Sequence, residues 1–239
     1  MSVAAQFYHL DNRLLAALPP DVFATLERDL ADVTLEQGTV LFEPGDPIER
    51  VYFPQTGVVS LLIVTAGHML EISTIGREGA VGVQRGLGER LAFARTTVQN
   101  TGRFSVISAA RFEQIVGQNA AARDLIAQYS EVLCAEAQQT AACNALHDAS
   151  SRLCRWLLQT ADRLDSDVVP LTQEFMSHML GVRRTTLTLL ARTLQNKKAI
   201  RYSRGRIRII DRALLEASAC ECYRVIQHDA LPRRIGLKL

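Results

Sequence analysis

From Ser108 to His147 the chain runs without a proline and with a single glycine, Gly117, in a stretch dominated by Ala, Gln and Glu. Strong helix formers over that length predict one long helix, and that helix separates two halves of opposite texture. Before it, short β-rich runs recur at 33–36, 39–42, 51–53, 58–64, 68–75, 95–100 and 103–107. Turn signals part them: Gln37-Gly38, Glu43-Pro44-Gly45-Asp46-Pro47, Gln55-Thr56-Gly57, Ala66-Gly67 and Asn100-Thr101-Gly102. Short strands at regular spacing with such turns predict an antiparallel, jelly-roll-like β-roll. Ahead of it, residues 21–30 read as a helix started by Pro19-Pro20. The expected class is α+β, with a β-roll over 1–118, a long helix over 119–147 and a helical domain over 148–239.

Within the long helix, Leu125, Tyr129, Val132, Gln139, Cys143 and Leu146 form a mixed apolar and polar seam at heptad spacing. Such a seam suits a short or adjustable dimer contact; a helix packed inside its own chain is the alternative. A second helix follows, with Leu153, Trp156, Leu157, Thr160 and Leu164 at 3.6-residue spacing, broken by Asp165-Ser166-Asp167.

The composition, 48% hydrophobic and 22% charged, is that of a globular chain. No apolar run approaches the ~20 residues of a membrane helix, and the N-terminus lacks the layout of a secretion signal. A cytoplasmic protein without membrane association is expected. Of the five cysteines, Cys134, Cys143, Cys154, Cys220 and Cys222, none forms a CxxC or a Cys/His pair with zinc-ligand spacing. No metal and no cofactor are therefore expected. Buried reduced thiols are the plain reading, and Cys220-Glu221-Cys222 leaves a thiol redox sensor open. If helical, those two cysteines point about 200° apart, against a local disulfide. His9, His68 and His147 are available as haem ligands, but no spacing marks them.

Charge is distributed unevenly. From Phe175 to Ile210 there are nine Lys/Arg and no Asp or Glu, although the whole chain carries 27 basic and 25 acidic residues. A basic segment on an otherwise acidic chain suggests a polyanion partner for that segment alone.

Local pattern sharpens this. Thr172 suits an N-cap for a helix over 173–179 with Glu174 in its first turn. Gly181 suits a tight corner, and a second helix starting at Arg183 would pack through Leu187, Leu190 and Leu194. Small Ser177 lets the two helices approach, and the whole reads as a helix-turn-helix. Its second helix would expose Arg183, Arg184, Thr185, Thr186 and Thr188, residue types that reach guanine edges, thymine methyls and phosphates in a major groove. Beyond Lys197 and Lys198, residues 201–210 read as a hairpin turning at Gly205. Its Arg201, Arg204 and Arg206 would grip the sugar-phosphate backbone, supplying affinity without sequence choice. Double-stranded DNA is the expected partner.

The run from Leu171 to Thr186 resembles the winged helix-turn-helix of the Crp/Fnr (cyclic-AMP receptor protein/Fnr) family of bacterial transcription regulators. The order β-roll, long helix, winged helix is similar over nearly the whole chain, and Gly38, Glu43-Pro44-Gly45-Asp46 and Val51-Tyr52-Phe53 to Gly57 resemble the opening strands of its sensor domain. The resemblance implies a homodimer joined by the long helix, two recognition helices on a near-palindromic site, and RNA polymerase as a partner. It carries a DNA-contacting arginine onto Arg184 and a backbone-contacting threonine onto Thr172. The family's frequent glutamate and second arginine fall on Thr185 and Leu189, neither of which can make the same base contacts.

Cyclic-nucleotide binders of the family show a Gly-Glu pair and then an Arg-Ser or Arg-Thr pair about ten positions on. Here the loop reads Gly76-Arg77-Glu78-Gly79-Ala80-Val81-Gly82-Val83, and the Arg95-Thr96 pair lies further along. Glu78, Gly79, Arg95 and Thr96 are the candidate effector residues, tight cyclic-AMP binding is not expected, and the effector is unknown. A phosphate buried without its arginine would be uncompensated. No Gly-Lys-Ser/Thr follows these glycines, so they make no Walker loop. A cluster of the Fnr kind needs N-terminal cysteines, and none precedes Cys134. A cyclic-nucleotide-responsive regulator is the nearest alternative. A β-barrel enzyme or small-molecule binder with a basic tail is the remote one, since no Ser/His/Asp, Cys/His or paired-carboxylate arrangement supports catalysis.

Overall fold

A computed structural model describes residues 9–65, 68–83 and 90–226. After a 3-10 turn at His9–Asp11 come α1 (Arg13–Ala16) and α2 (Pro20–Leu26). The strands β1 (Ala31–Leu35), β2 (Val40–Phe42), β3 (Arg50–Pro54), β4 (Val58–Thr65), β5 (His68–Ile75), β6 (Arg95–Asn100) and β7 (Gly102–Ser108) follow. Then come α3 (Ala109–Gly117), α4 (Ala120–Leu146), α5 (Ala149–Leu164), β8 (Val168–Val169), α6 (Gln173–Leu180) and α7 (Arg184–Asn196). The last elements are β9 (Ile200–Ser203), β10 (Arg206–Ile209), α8 (Arg212–Ser218) and α9 (Cys222–Val225). Each strand expected from the sequence is present to within a few residues; the Ala66-Gly67 turn lies outside the described residues.

The β-roll strands form two antiparallel sheets, ordered β1-β7-β3 and β2-β6-β4-β5. The described residues form two compact units, one holding those up to Leu61 and Thr74–Cys134, the other Leu62–Ser73 and those from Ala135 to Ile226. The first closes over Phe53, Phe104, Leu14, Leu15 and Leu26, all essentially inaccessible. The second closes over Leu153, Trp156, Leu157, Leu171, Met176, Leu187 and Ile207. In it, Trp156 Nε1 donates to Glu71 Oε1 at 2.6 Å, which satisfies the indole N–H that burial would otherwise orphan.

Three expectations are corrected. The helix after Pro19 stops at Leu26 rather than Leu30. The single helix from Ser108 to His147 is two, because the chain breaks at 118–119 and Asn119 Oδ1 accepts the Ala122 N–H at 3.0 Å, starting α4 afresh. The heptad seam is not a free surface: Tyr129, Val132 and Cys143 are buried in their own chain, while Leu146 is 79% exposed. Tyr129 plugs the β-roll, its hydroxyl donating to the Ala80 carbonyl at 3.0 Å and accepting from the Ala80 N–H at 2.9 Å. The stripe that α4 leaves exposed is instead Ala127, Glu131, Cys134, Gln138, Ala141 and Ala145, on another face of the same helix.

Candidate nucleic-acid interface

The helix pair forms where the sequence places it. Thr172, in extended conformation, accepts the Phe175 N–H on its Oγ1 at 3.2 Å and opens α6. Gly181 closes α6 at φ 62°, a left-handed conformation that costs an L-residue roughly 1–2 kcal/mol. Buried Ser177 turns its hydroxyl back onto the Glu174 carbonyl at 2.7 Å, leaving a small surface against which α7 packs. Leu187, Ala191 and Leu194 seat α7 in the core.

The opposite face of α7 is solvent-exposed. Arg183 caps the helix and Arg184 begins it, with Thr185, Leu189 and Arg192 following along the exposed side. Thr188 is held differently: its hydroxyl donates to the Arg184 carbonyl at 2.9 Å and lies 2.9 Å from Gln173 Oε1. It therefore braces α7 against α6. Thr186 is half-buried.

The hairpin β9–β10 turns at Arg204-Gly205, both at positive φ (48° and 73°). A two-residue turn of this type favours Asn-Gly or Asp-Gly, so placing Arg204 there spends conformational energy to put a guanidinium at the tip. Ile207 and Ile209 point into the core while Arg201, Arg206 and Arg208 point out, with Arg201 directly opposite Arg208. The tip lies beside α6: a Cβ on Gly205 would sit 3.8 Å from Thr172 Cγ2. Wing, α6 N-terminus and Thr172 thus share one edge. Lys197 and Lys198 are exposed in the link between α7 and β9. Among the described residues, none of the nine cations from Arg183 to Arg208 pairs with a carboxylate.

The β-roll unit holds a separate feature, a cavity of about 440 Å³ against the first half of α4. Its lining includes Gly82, Val83, Arg90, Glu113, Arg123 and Asp124. None of the four expected effector residues lines it. Glu78 accepts the Gly76 N–H at 2.9 Å in its own turn. Gly79 is where the Tyr129 ring passes, since a Cβ there would lie 2.1 Å from the hydroxyl oxygen. Arg95 faces Glu43 at 3.5 Å, and the buried Thr96 hydroxyl turns to the Ala94 carbonyl at 3.3 Å. Arg90, which the sequence pattern did not single out, does line the cavity. It follows Glu78 by twelve positions and is succeeded by Leu91 instead of Ser or Thr, so the pair that would have marked it is absent. Its guanidinium pairs with Glu113 and donates to the Ala109 carbonyl at 3.3 Å.

A winged helix-turn-helix with an unneutralised cationic face, in a chain that also carries a β-roll with its own cavity, defines a DNA-binding regulator with a sensor domain. Comparison with known proteins agrees. Residues 151–218 match the family model described as a Crp-like helix-turn-helix domain, and residues 32–119 match that of the cyclic nucleotide-binding domain. The chain belongs to the Crp/Fnr family of transcription regulators.

Solved structures share the fold. FixK2 from Bradyrhizobium japonicum superposes with TM-score 0.69 at 14% identity, covering 80% of this chain and 98% of that one. A CRP-family transcriptional regulator from Thermus thermophilus gives 0.66 at 15%, covering 78% and 96%. A CRP/FNR-family regulator from the same organism gives 0.63 at 20%, covering 79% and 98%. No curated protein matches the sequence. No helix among the described residues is long and apolar enough to cross a membrane.

Proposed function

We propose that this regulator works as a homodimer that sets two α7 helices into successive major grooves of a near-palindromic site, with half-site centres about 34 Å apart. The observation that carries the reading is the cationic face from Arg183 to Arg208, without internal counter-ions among the described residues. Arg184 reads a base edge, while Thr172, Arg201, Arg204, Arg206, Lys197 and Lys198 hold phosphates. Leu189, 63% exposed where the family places an arginine, offers an apolar contact suited to a thymine methyl. The exposed stripe of α4, narrow and rich in alanine, is the dimer contact. Contact with RNA polymerase, a cytoplasmic location and the absence of catalytic turnover belong to the same reading.

The effector site in this reading is the cavity beside α4. Its basic side chain nearest to the family's phosphate-binding role, Arg90, is already paired with Glu113. A cyclic nucleotide would have to displace that carboxylate, which supports a different effector. The domain's resemblance to cyclic nucleotide-binding domains favours the second reading, a regulator that still answers to such a ligand. Calorimetry with cyclic AMP and cyclic GMP separates the two, and micromolar binding by the native chain would establish the second.

The DNA reading is tested by anisotropy titrations of the full chain on duplex sites at several salt concentrations. Arg184→Ala should lose about 1–3 kcal/mol of discrimination at one base position. Native binding that ignores salt would overturn the reading, since each phosphate contact contributes a log–log slope of about 0.9.

A further inference from the structure

One cluster of side chains serves neither the DNA surface nor the cavity. Cys143 and His147 stand one turn apart at the end of α4. Cys220 and Cys222 flank the start of α9. One ligand atom from each of the four lies within 4.8 Å of all the others. The Cys143 and Cys220 sulfurs are 3.5 Å apart, and Cys222 Sγ is 3.6 Å from His147 Nδ1. A tetrahedral zinc with Zn–S of ~2.3 Å and Zn–N of ~2.0 Å spaces its ligand atoms about 3.5–3.8 Å apart. Two pairs already stand near that spacing, and the widest needs to close by only about 1 Å.

Two independent features point to a metal. The first is the histidine's other nitrogen: Nε2 meets the Glu221 carboxylate at 3.1 Å, so Nδ1 is left facing the sulfurs. A carboxylate behind a ligating imidazole fixes its tautomer and raises its basicity. The second is Arg155, only 5% exposed, whose Nη1 donates to Gln159 Oε1 at 2.7 Å. Its Nε has no partner, and no carboxylate among the described residues pairs with it. Burial pushes the Cys143 and Cys220 thiols up, and the Arg155 charge near them acts in the opposite sense. A buried guanidinium without a counter-charge is costly. Three thiolates, a neutral imidazole and Zn²⁺ together carry −1, which supplies it. Gln139 Nε2, 3.1 Å from Cys222 Sγ, adds an amide donor to one sulfur.

We propose that Cys143, His147, Cys220 and Cys222 bind one zinc ion per chain as a closed Cys₃His site that ties the end of α4 to α9. Four protein ligands leave no open position, so the role is structural. Binding releases the three thiol protons to solvent and leaves every oxidation state unchanged. Sequence spacing hid the site: Cys143 and His147 are one helical turn apart, but their partners come more than seventy residues later.

The test uses the full chain, purified without a metal-affinity tag or chelator. Elemental analysis and native mass spectrometry should find one zinc per chain. Replacement by cobalt should give thiolate-to-cobalt charge-transfer bands. Glu221→Gln, at a side chain 77% exposed, should keep the fold by circular dichroism and weaken zinc binding by about 10–100-fold. His147→Gln should weaken it further, and Cys134→Ser should leave it unchanged. The proposal fails if added zinc does not bind and no cobalt–thiolate band forms. It fails equally if the native protein carries a Cys143–Cys220 disulfide, or if neither Glu221→Gln nor His147→Gln alters binding.

Discussion

Four arginines of the β-roll unit and the cations from Arg183 to Arg208 are treated in opposite ways. In the first unit Arg90 closes on Glu113, Arg95 faces Glu43 at 3.5 Å, Arg103 faces Asp11 at 3.8 Å and Arg111 meets Asp29 at 2.7 Å. In the second, the cations from Arg183 to Arg208 have no such partner among the described residues, and Arg201 stands directly across the ladder from Arg208. Exposed ion pairs add little stability, roughly 0–1 kcal/mol each, but they cancel the field around them. Leaving a face uncancelled costs some repulsion between opposed like charges and keeps its potential for an incoming polyanion. On the proposed reading, arginine is neutralised at these β-roll positions and left available for recognition on the wing, while elsewhere in the second unit Arg163 and Arg212 pair with Glu136 and Asp162.

The largest test of that contrast is a pair of double variants. Arg201→Ala with Arg208→Ala should lower the salt slope of DNA binding by about 0.9 for each phosphate the protein no longer neutralises. Arg103→Ala with Arg111→Ala should leave it alone, and equal reductions from both pairs would erase the distinction.

Next in size is the cap that opens α5. Asp148 accepts the Ser150 and Ser151 N–H groups at 2.8 and 3.0 Å, and its hydrogen bonds from Ser151 hold the carboxyl below the ordinary carboxylate range. Asp148→Ala should cost about 1 kcal/mol in denaturant titrations. The folded pKa lies below the unfolded one, so the native cap contributes fully above the unfolded value. Its contribution fades as pH falls through the folded value, and the difference between native and variant should shrink in acid.

The smallest effect concerns the wing tip. Arg204→Asn relieves a left-handed arginine (φ 48°) and should raise stability by a few tenths of a kcal/mol up to about 1. The same change should weaken DNA binding. A variant that gains stability at unchanged affinity would remove Arg204 from the interface.

Where the sequence was readable, the signal was local. The β-roll strands announce themselves by alternation between glycine and proline turns, and the helix-turn-helix by a cap at Thr172, a corner at Gly181 and leucines at helical spacing. Even the break in the long helix carried a sign, an asparagine at position 119 able to cap α4. The cavity was less legible: Arg90 in its lining is followed by Leu91 instead of the Ser or Thr of the expected pair, and the Arg95-Thr96 pair lies outside that lining. The α4 seam, with Tyr129, Val132 and Cys143 buried in their own chain, differs from expectation for a related reason. Heptad spacing shows that a helix has a packing stripe, but not whether that stripe meets a second copy or its own β-roll.

Sequence by itself determined the elements of this protein and the cationic character of its wing, since helix caps, strand alternation and charge density depend on residues a few positions apart. Only tertiary structure decided which groups share a volume: Tyr129 under Gly79, Arg90 against Glu113, and Cys143 and His147 beside Cys220 and Cys222. Those meetings depend on how distant segments pack in three dimensions, and nothing in the spacing along a chain encodes that distance directly.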